Sequence, residues 1–216
     1  MDLMILTFIK FAIIIVAIII GLFRHATLNE ANRIFWLFLF VALAGEILDP
    51  LLARYFRNNF PIYHVFRPLY YTFLTLAISN EMKRLKTIYI ISIPLVIIAA
   101  FLNAKFMQPP DIALNTIIIN LISVLLILQV LFYIAILFEE HSWEETMHYH
   151  SFWIAIAILI HSIASFLSLG IHNFLDDEGQ DVVVNVQAFS EFIFYGSFSL
   201  NFMLQKTKPV SLNSAT

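Results

Sequence analysis

The chain contains no cysteine. That absence removes disulfides, iron–sulfur clusters, thiolate zinc sites, cysteine nucleophiles and palmitoyl or lipoprotein anchoring. Five glycines in 216 residues leave little material for a glycine-rich phosphate cradle, and no such pattern occurs. Charge is scarce as well: Asp, Glu, Lys and Arg make up 12% of the chain, about half the share of a soluble domain. The 12 basic and 15 acidic residues contain no basic run, so nucleic acid is not an expected partner.

What is abundant is apolar. Hydrophobic residues make up 61% of the chain, with 22 Phe, and they fall in long blocks rather than at amphipathic spacing. Blocks of about 18 or more near-uncharged residues predict membrane-spanning helices. Seven are read, at 3–23, 34–53, 62–79, 88–106, 113–138, 151–173 and 183–204, each near the ~20 residues a bilayer requires. Continuous rather than alternating hydrophobicity favours helices over a barrel. The first block is too long for a signal peptide, contains Lys10, and is followed by no small-x-small cleavage site. The expected fold is therefore all-α: a polytopic membrane protein forming one seven-transmembrane-helix bundle over residues 1–216, with short connections between antiparallel neighbours.

Lys and Arg in the connections set the expected orientation. Arg24, Arg33, Lys83, Arg84, Lys86, Lys206 and Lys208 fall on one side, and Arg54, Arg57 and Lys105 on the other. The richer side is expected to be cytoplasmic, with the N-terminus outside and the C-terminus inside.

An ionisable group within the hydrocarbon costs about 2.5–3.5 kcal/mol on insertion scales, so such groups tend to face inward, pair, and serve function. Lys10 falls in span one, Glu46 and Asp49 in span two, and His64 and Arg67 in span three. His161 and His172 fall in span six and Glu191 in span seven. Ordered by depth, most of these lie in the outer half, while Gln129 and Asn201 lie toward the cytoplasm. That asymmetry suggests a polar cup open to the outside. The candidate ligand-binding residues are Lys10, Glu46, Asp49, His64, Arg67, Tyr70, Tyr71, His161, Glu191 and Tyr195. Ion pairs that only fix helix register, such as Glu46 or Asp49 with Arg67 and Glu191 with Lys10, are the alternative use of the same charges. Pro50 and Pro68 directly follow Asp49 and Arg67. Each frees a backbone carbonyl and can kink its helix near the cup.

Two polar loops remain. In the first, Glu139–His150, the residues His141, Glu145 and His148 would share a face if helical, a weak zinc-like spacing. The second, Asp176–Asp181, lacks the twelve-residue calcium pattern. Both are read as solvated turns. No catalytic residue, metal or cofactor is assigned, since no general base is placed by spacing beside Ser162, Ser165 or Ser168.

The run Glu46-Ile47-Leu48-Asp49, continued through Asn58-Asn59-Phe60-Pro61-Ile62-Tyr63-His64 and followed by Tyr70-Tyr71, resembles a segment of uncharacterised small seven-helix membrane proteins of bacteria. Some of these are similar to the membrane modules of sensor kinases. The resemblance implies a signalling or accessory role in a bacterial inner membrane and carries over no catalytic residue. The expected function is a receptor-like or accessory signalling protein with an outward-facing polar pocket. Its expected partners are the lipid bilayer, a small-molecule or lipid ligand, and a cytoplasmic or membrane signalling protein. A small-solute transporter using Glu46, Arg67, His161 and Glu191 is the alternative, and an intramembrane enzyme the third.

Overall fold

A computed structural model of the protein describes residues 3–82 and 84–205. Lys83, Lys206 and Lys208, three of the basic residues counted for orientation, lie outside them. The described chain is helical, with no strand among the described residues. The helices are α1 Leu3–Arg24, α2 Glu30–Phe56, α3 Phe60–Glu81, α4 Lys86–Phe106, α5 Thr116–Glu140, α6 Trp143–Met147, α7 His150–Leu167 and α8 Asp177–Leu204.

Local chemistry explains where they start. Asn29 caps α2 by accepting from the Asn32 N–H at 2.8 Å, and Pro61 occupies the first turn of α3, where its missing N–H costs nothing. Asp176 caps α8 by accepting from the Gly179 N–H. The acidic run at 176–181, read as a solvated turn, is thus the cap and first turn of a helix, where carboxylates complement the helix dipole. α2 ends at Arg57, which adopts a left-handed conformation with φ 57°. Pro50 and Pro68 lie inside continuous helices. Pro50 supplies no N–H to the carbonyl of Glu46, one turn earlier.

The loop 139–150 contains a helical turn, α6, missed in the sequence. Its signal is a capping box: the Ser142 N–H donates to Glu145 at 2.9 Å while Ser142 Oγ faces the Glu145 N–H. Two donors from Ser142 hold the Glu145 carboxyl below its ordinary pKa. This capping contribution is present above the unfolded value and fades as pH falls through the folded one. In Ser142→Ala the Glu145 pKa is expected to rise toward the ordinary carboxylate value, checked by NMR titration of its carboxyl. The first α-helical turn should fray at neutral pH in that variant. The sixth span also departs from expectation. α7 stops at Leu167, and the chain continues as a 3-10 segment over Leu169–Phe174. Ser168 Oγ bonds back to the Ala164 carbonyl, and Gly170 lies so close to the Asn120 amide that no Cβ would fit.

Among the described residues, five segments are long and apolar enough to cross a membrane: Ile5–Thr27, Glu30–Tyr55, Lys86–Phe106, Thr116–Glu140 and His150–Phe174. α3 and α8 are more polar, yet at 22 and 28 residues they extend about 33 and 42 Å at 1.5 Å per residue. α1 packs on α2 and α8, α2 on α3, α3 on α5, α5 on α7, and α7 on α8. These six helices close a ring, with α4 outside it against α3 and α5. Phe8, Ile91, Leu95, Phe101 and Phe132 are exposed on the outer surface, as expected of side chains that meet lipid rather than water. The interior is aromatic: Phe35, Phe38, Phe194, Phe198 and Phe202 are fully buried.

Gly21 sets the approach of α1 to α2. A Cβ there would enter the Trp36 ring, which is held by a 3.0 Å bond from its indole N–H to the Ile18 carbonyl. Gly21→Ala is expected to cost about 1–3 kcal/mol through overpacking, read as a lowered Tm with a shift in Trp emission.

Candidate functional site: a polar cavity at one end of the ring

One end of the bundle gathers the starts of α1, α3, α5 and α8 and the ends of α2, α4 and α7. A polar cavity of about 60 Å³ opens there, lined by Lys10 of α1, Gly45, Glu46 and Asp49 of α2, Tyr63, Phe66, Arg67 and Tyr70 of α3, and Glu191 of α8. A larger space of about 260 Å³ adjoins it through Lys10, Asp49, Tyr63 and Glu191, and is walled by Thr7, Asn59, Gln187 and Ala188. Gly45 permits the close approach of α2 to α3, since a Cβ there would meet Phe66 at 2.8 Å.

Lys10 is the hub. Its ammonium forms salt bridges with Glu46 and with Glu191, the latter at 2.9 Å, so one cation ties α1 to α2 and α8. The Gln187 amide donates to Glu191 at 3.1 Å, and the Tyr195 hydroxyl to Glu46 at 3.3 Å. Asn59 donates to Asp49 at 2.9 Å. Lys10 and Glu191 pair as the sequence suggests. Arg67 does not follow its expected pairing: it makes no ion pair with Glu46 or Asp49, and its guanidinium stands 5.7 Å from the centre of the Tyr63 ring.

His161 sits beside the cavity. It lines a cleft of about 20 Å³ with Arg67, Tyr70, Ser162 and Ser165, and its ring stacks on Phe194 at 4.5 Å. The ring faces the Ser190 hydroxyl at 3.2 Å, and that hydroxyl donates to the Gln187 carbonyl at 2.7 Å. The serine proton is therefore committed elsewhere, and His161 Nδ1 is left to donate. This is the reverse of a base activating a nucleophile.

Four candidates do not line the cavity: His161 and Tyr195 stand behind it, Tyr195 bonded to Glu46, and Tyr71 and His64 lie on another face of α3. Tyr71 is rotated about 100° from Tyr70 around α3. Its hydroxyl meets Ser92 Oγ at 2.6 Å and accepts from the Gln129 amide at 3.0 Å, which knits α4 to the ring helices α3 and α5. His64, two helical turns before Tyr71, shares that face and contacts the Ala113 carbonyl at 3.1 Å. Tyr63, Arg67 and Tyr70, at i, i+4 and i+7, form the face that meets the cavity. Among the described residues no group of three His, Asp or Glu side chains gathers as a metal site, including those of the 139–150 loop.

A second polar network lies at the other end. Asn32 donates to Gln205 at 2.6 Å and accepts from Asn201, while Gln205 donates to the Thr27 carbonyl. The Arg24 guanidinium bonds the Met203 and Gln205 carbonyls. Asn32 is fully buried. Between the two polar ends α2 and α8 present a mainly aromatic surface, while Tyr71, Thr75 and Gln129 form a buried polar cluster on α3 and α5. On α2, Phe35, Phe38, Leu39 and Ala42 separate Asn32 from Glu46; on α8, Phe194 and Phe198 stand between Glu191 and Asn201. Their rings interlock, with Phe38 5.8 Å from Phe194 and 5.6 Å from Phe198, and Phe198 5.6 Å from Phe35. This layer lies between the cavity and the second network along α2 and α8, and Phe194 also lines the small cleft beside the cavity.

No protein-family model, curated protein or solved structure matches the chain. The functional reading rests on the cavity itself.

Proposed function

We propose that the protein is a receptor-like or accessory signalling protein that crosses a bacterial inner membrane seven times and binds a small ligand in the polar cavity from outside. The observation that carries this reading is the aromatic layer. A transport path needs polar lining through the bilayer or a gate on each side of a central site. A polar cup above interlocked Phe rings suits binding rather than passage. The commitment of the Ser190 proton to Gln187 weighs against the enzyme reading.

Seven crossings are supported by the lengths of α3 and α8 and by their place in the ring beside more apolar helices. The orientation is supported by the basic side chains: Arg24, Arg33, Arg84 and Lys86 belong to the end opposite the cavity, against Arg54, Arg57 and Lys105 beside it. α2 and α8 each run from the cavity, at Glu46 and Glu191, to the buried amides Asn32 and Asn201. A ligand-induced shift is carried along them to a partner at the cytoplasmic end.

The cysteine-free chain makes the topology testable without background labelling. With a membrane-impermeant maleimide on intact cells, Asp111→Cys is expected to react, and Glu144→Cys only after permeabilisation. Both positions are exposed, between α4 and α5 and in α6 respectively. Reaction of both from outside, or the reverse pattern, would overturn the reading.

A further inference from the structure

Arg67 is the cavity's one cation without an acidic partner among the described residues, since Lys10 holds both Glu46 and Glu191. A guanidinium offers five N–H donors in a fork that matches a carboxylate or phosphate. Leaving such a group partly buried and unbonded is costly. On the facing helix, Asp49 has one oxygen held by Asn59, and its other oxygen has no bond among the described residues. Asp49 and Arg67 line the same cavity without forming an ion pair. The cavity thus presents on α3 a cation that meets only the Tyr63 ring and on α2 an anion held only by Asn59, the two not in ion-pair contact with each other.

Two further features point to a ligand. Arg67 and Tyr70 also line the small cleft behind the cavity, where the Ser162 hydroxyl is buried, at 1% exposure, and unbonded. The rings of Tyr63, Phe66 and Tyr70 add aromatic surface to the cavity wall, and such faces attract ammonium groups. A simple anion would reach Arg67 but face Glu46, Asp49 and Glu191. A simple cation would reach Asp49 but face Arg67 and Lys10. A molecule carrying both charges a few bonds apart satisfies both walls.

We infer that the cavity binds a small zwitterion, its carboxylate or phosphate on Arg67 and its ammonium toward Asp49. This inference rests on the receptor-like reading and gives its ligand a chemical class. The zwitterion is either a free amino-acid or betaine-type solute or the head group of a zwitterionic lipid.

The test uses the full chain in phosphatidylglycerol nanodiscs, with Tm followed against L-alanine, glycine betaine, acetate and ethylammonium. The expected result is a saturable rise in Tm with at least one zwitterion, and none with acetate or ethylammonium. Half-saturation should weaken about tenfold or more in Arg67→Gln and in Asp49→Asn, as loss of a charge-assisted hydrogen bond predicts. Asp49→Asn is nearly isosteric and serves if Arg67→Gln does not fold. In phosphatidylethanolamine nanodiscs, a raised starting Tm that suppresses the solute response identifies the head group as the source. An unchanged solute response identifies the free solute. Absence of any effect of the soluble zwitterions and of phosphatidylethanolamine overturns the inference, as does a response unchanged in both variants. An Arg67-dependent rise with acetate alone also overturns it while leaving the receptor-like reading intact. That reading stands or falls separately, on thiol labelling from the two sides.

Discussion

Lys10→Met is expected to destabilise the protein by about 3–5 kcal/mol, the loss typical when a buried ion pair is broken from one side. The wild-type ammonium lies between Glu46 and Glu191, and all three side chains are 12–16% exposed. Methionine replaces the stem but not the charge. Two carboxylates from α2 and α8 are then left largely buried and facing each other, and Asp49 adds a third nearby. The triple variant Lys10→Met, Glu46→Gln, Glu191→Gln is expected to recover most of the loss, because paired burial contributes little beyond a neutral replacement. Reversible unfolding in mixed micelles, comparing the single and triple variants, checks both statements. A single variant as stable as wild type would show that Lys10 does not hold the ring at this point.

Phe198→Ala is expected to cost about 3–5 kcal/mol, the range for emptying a buried phenyl site. Phe198 is fully buried and its ring contacts those of Phe35, Phe38, Phe194 and Phe202 at 5.2–6.4 Å. Its removal takes out the centre of the aromatic layer. Phe198→Leu, which leaves a smaller void, is expected to cost less. Thermal unfolding of the two variants gives the order. Opening this layer should also let water approach the Asn32–Asn201 pair from the cavity side, read as faster exchange of those side-chain amide protons. Equal stability of Phe198→Ala and wild type would contradict the packing described.

The helices were legible because lipid exposure imposes long apolar blocks: the predicted 88–106 and the observed Lys86–Phe106 nearly coincide. α6 was not, because its five residues carry no periodicity; only the Ser142–Glu145 spacing announces it. The 3-10 end of the sixth span was hidden for another reason. There the Asn120 amide, fifty residues away in the chain, donates to the Gly170 carbonyl, a contact that no local pattern shows.

At the site, Lys10, Glu46, Asp49, Arg67 and Glu191 line one cavity, as depth ordering suggests, since residues equally far from the ends of antiparallel helices meet. Depth says nothing about rotation, so Tyr71 and His64 entered the candidate set although Tyr71 faces α4 and α5 and His64 the connection between them. A stricter reading of the i, i+3, i+4, i+7 face would have added Phe66 to Tyr63, Arg67 and Tyr70 and left out Tyr71. Pairing was harder still. Sequence alone gives Lys10 and Arg67 equal claims on three carboxylates, and only side-chain reach assigns two of them to Lys10.

The central claim is that the polar cavity opens to one side of the membrane and is closed below. Ala188 lines its larger space, and Ala188→Cys changes little volume in a chain with no other thiol. The decisive measurement is the reaction rate of this cysteine with an impermeant thiol reagent in oriented proteoliposomes, applied to each face in turn. Reaction from the N-terminal face alone is predicted. Comparable rates from both faces would reveal a path through the Phe layer and contradict a cavity closed below.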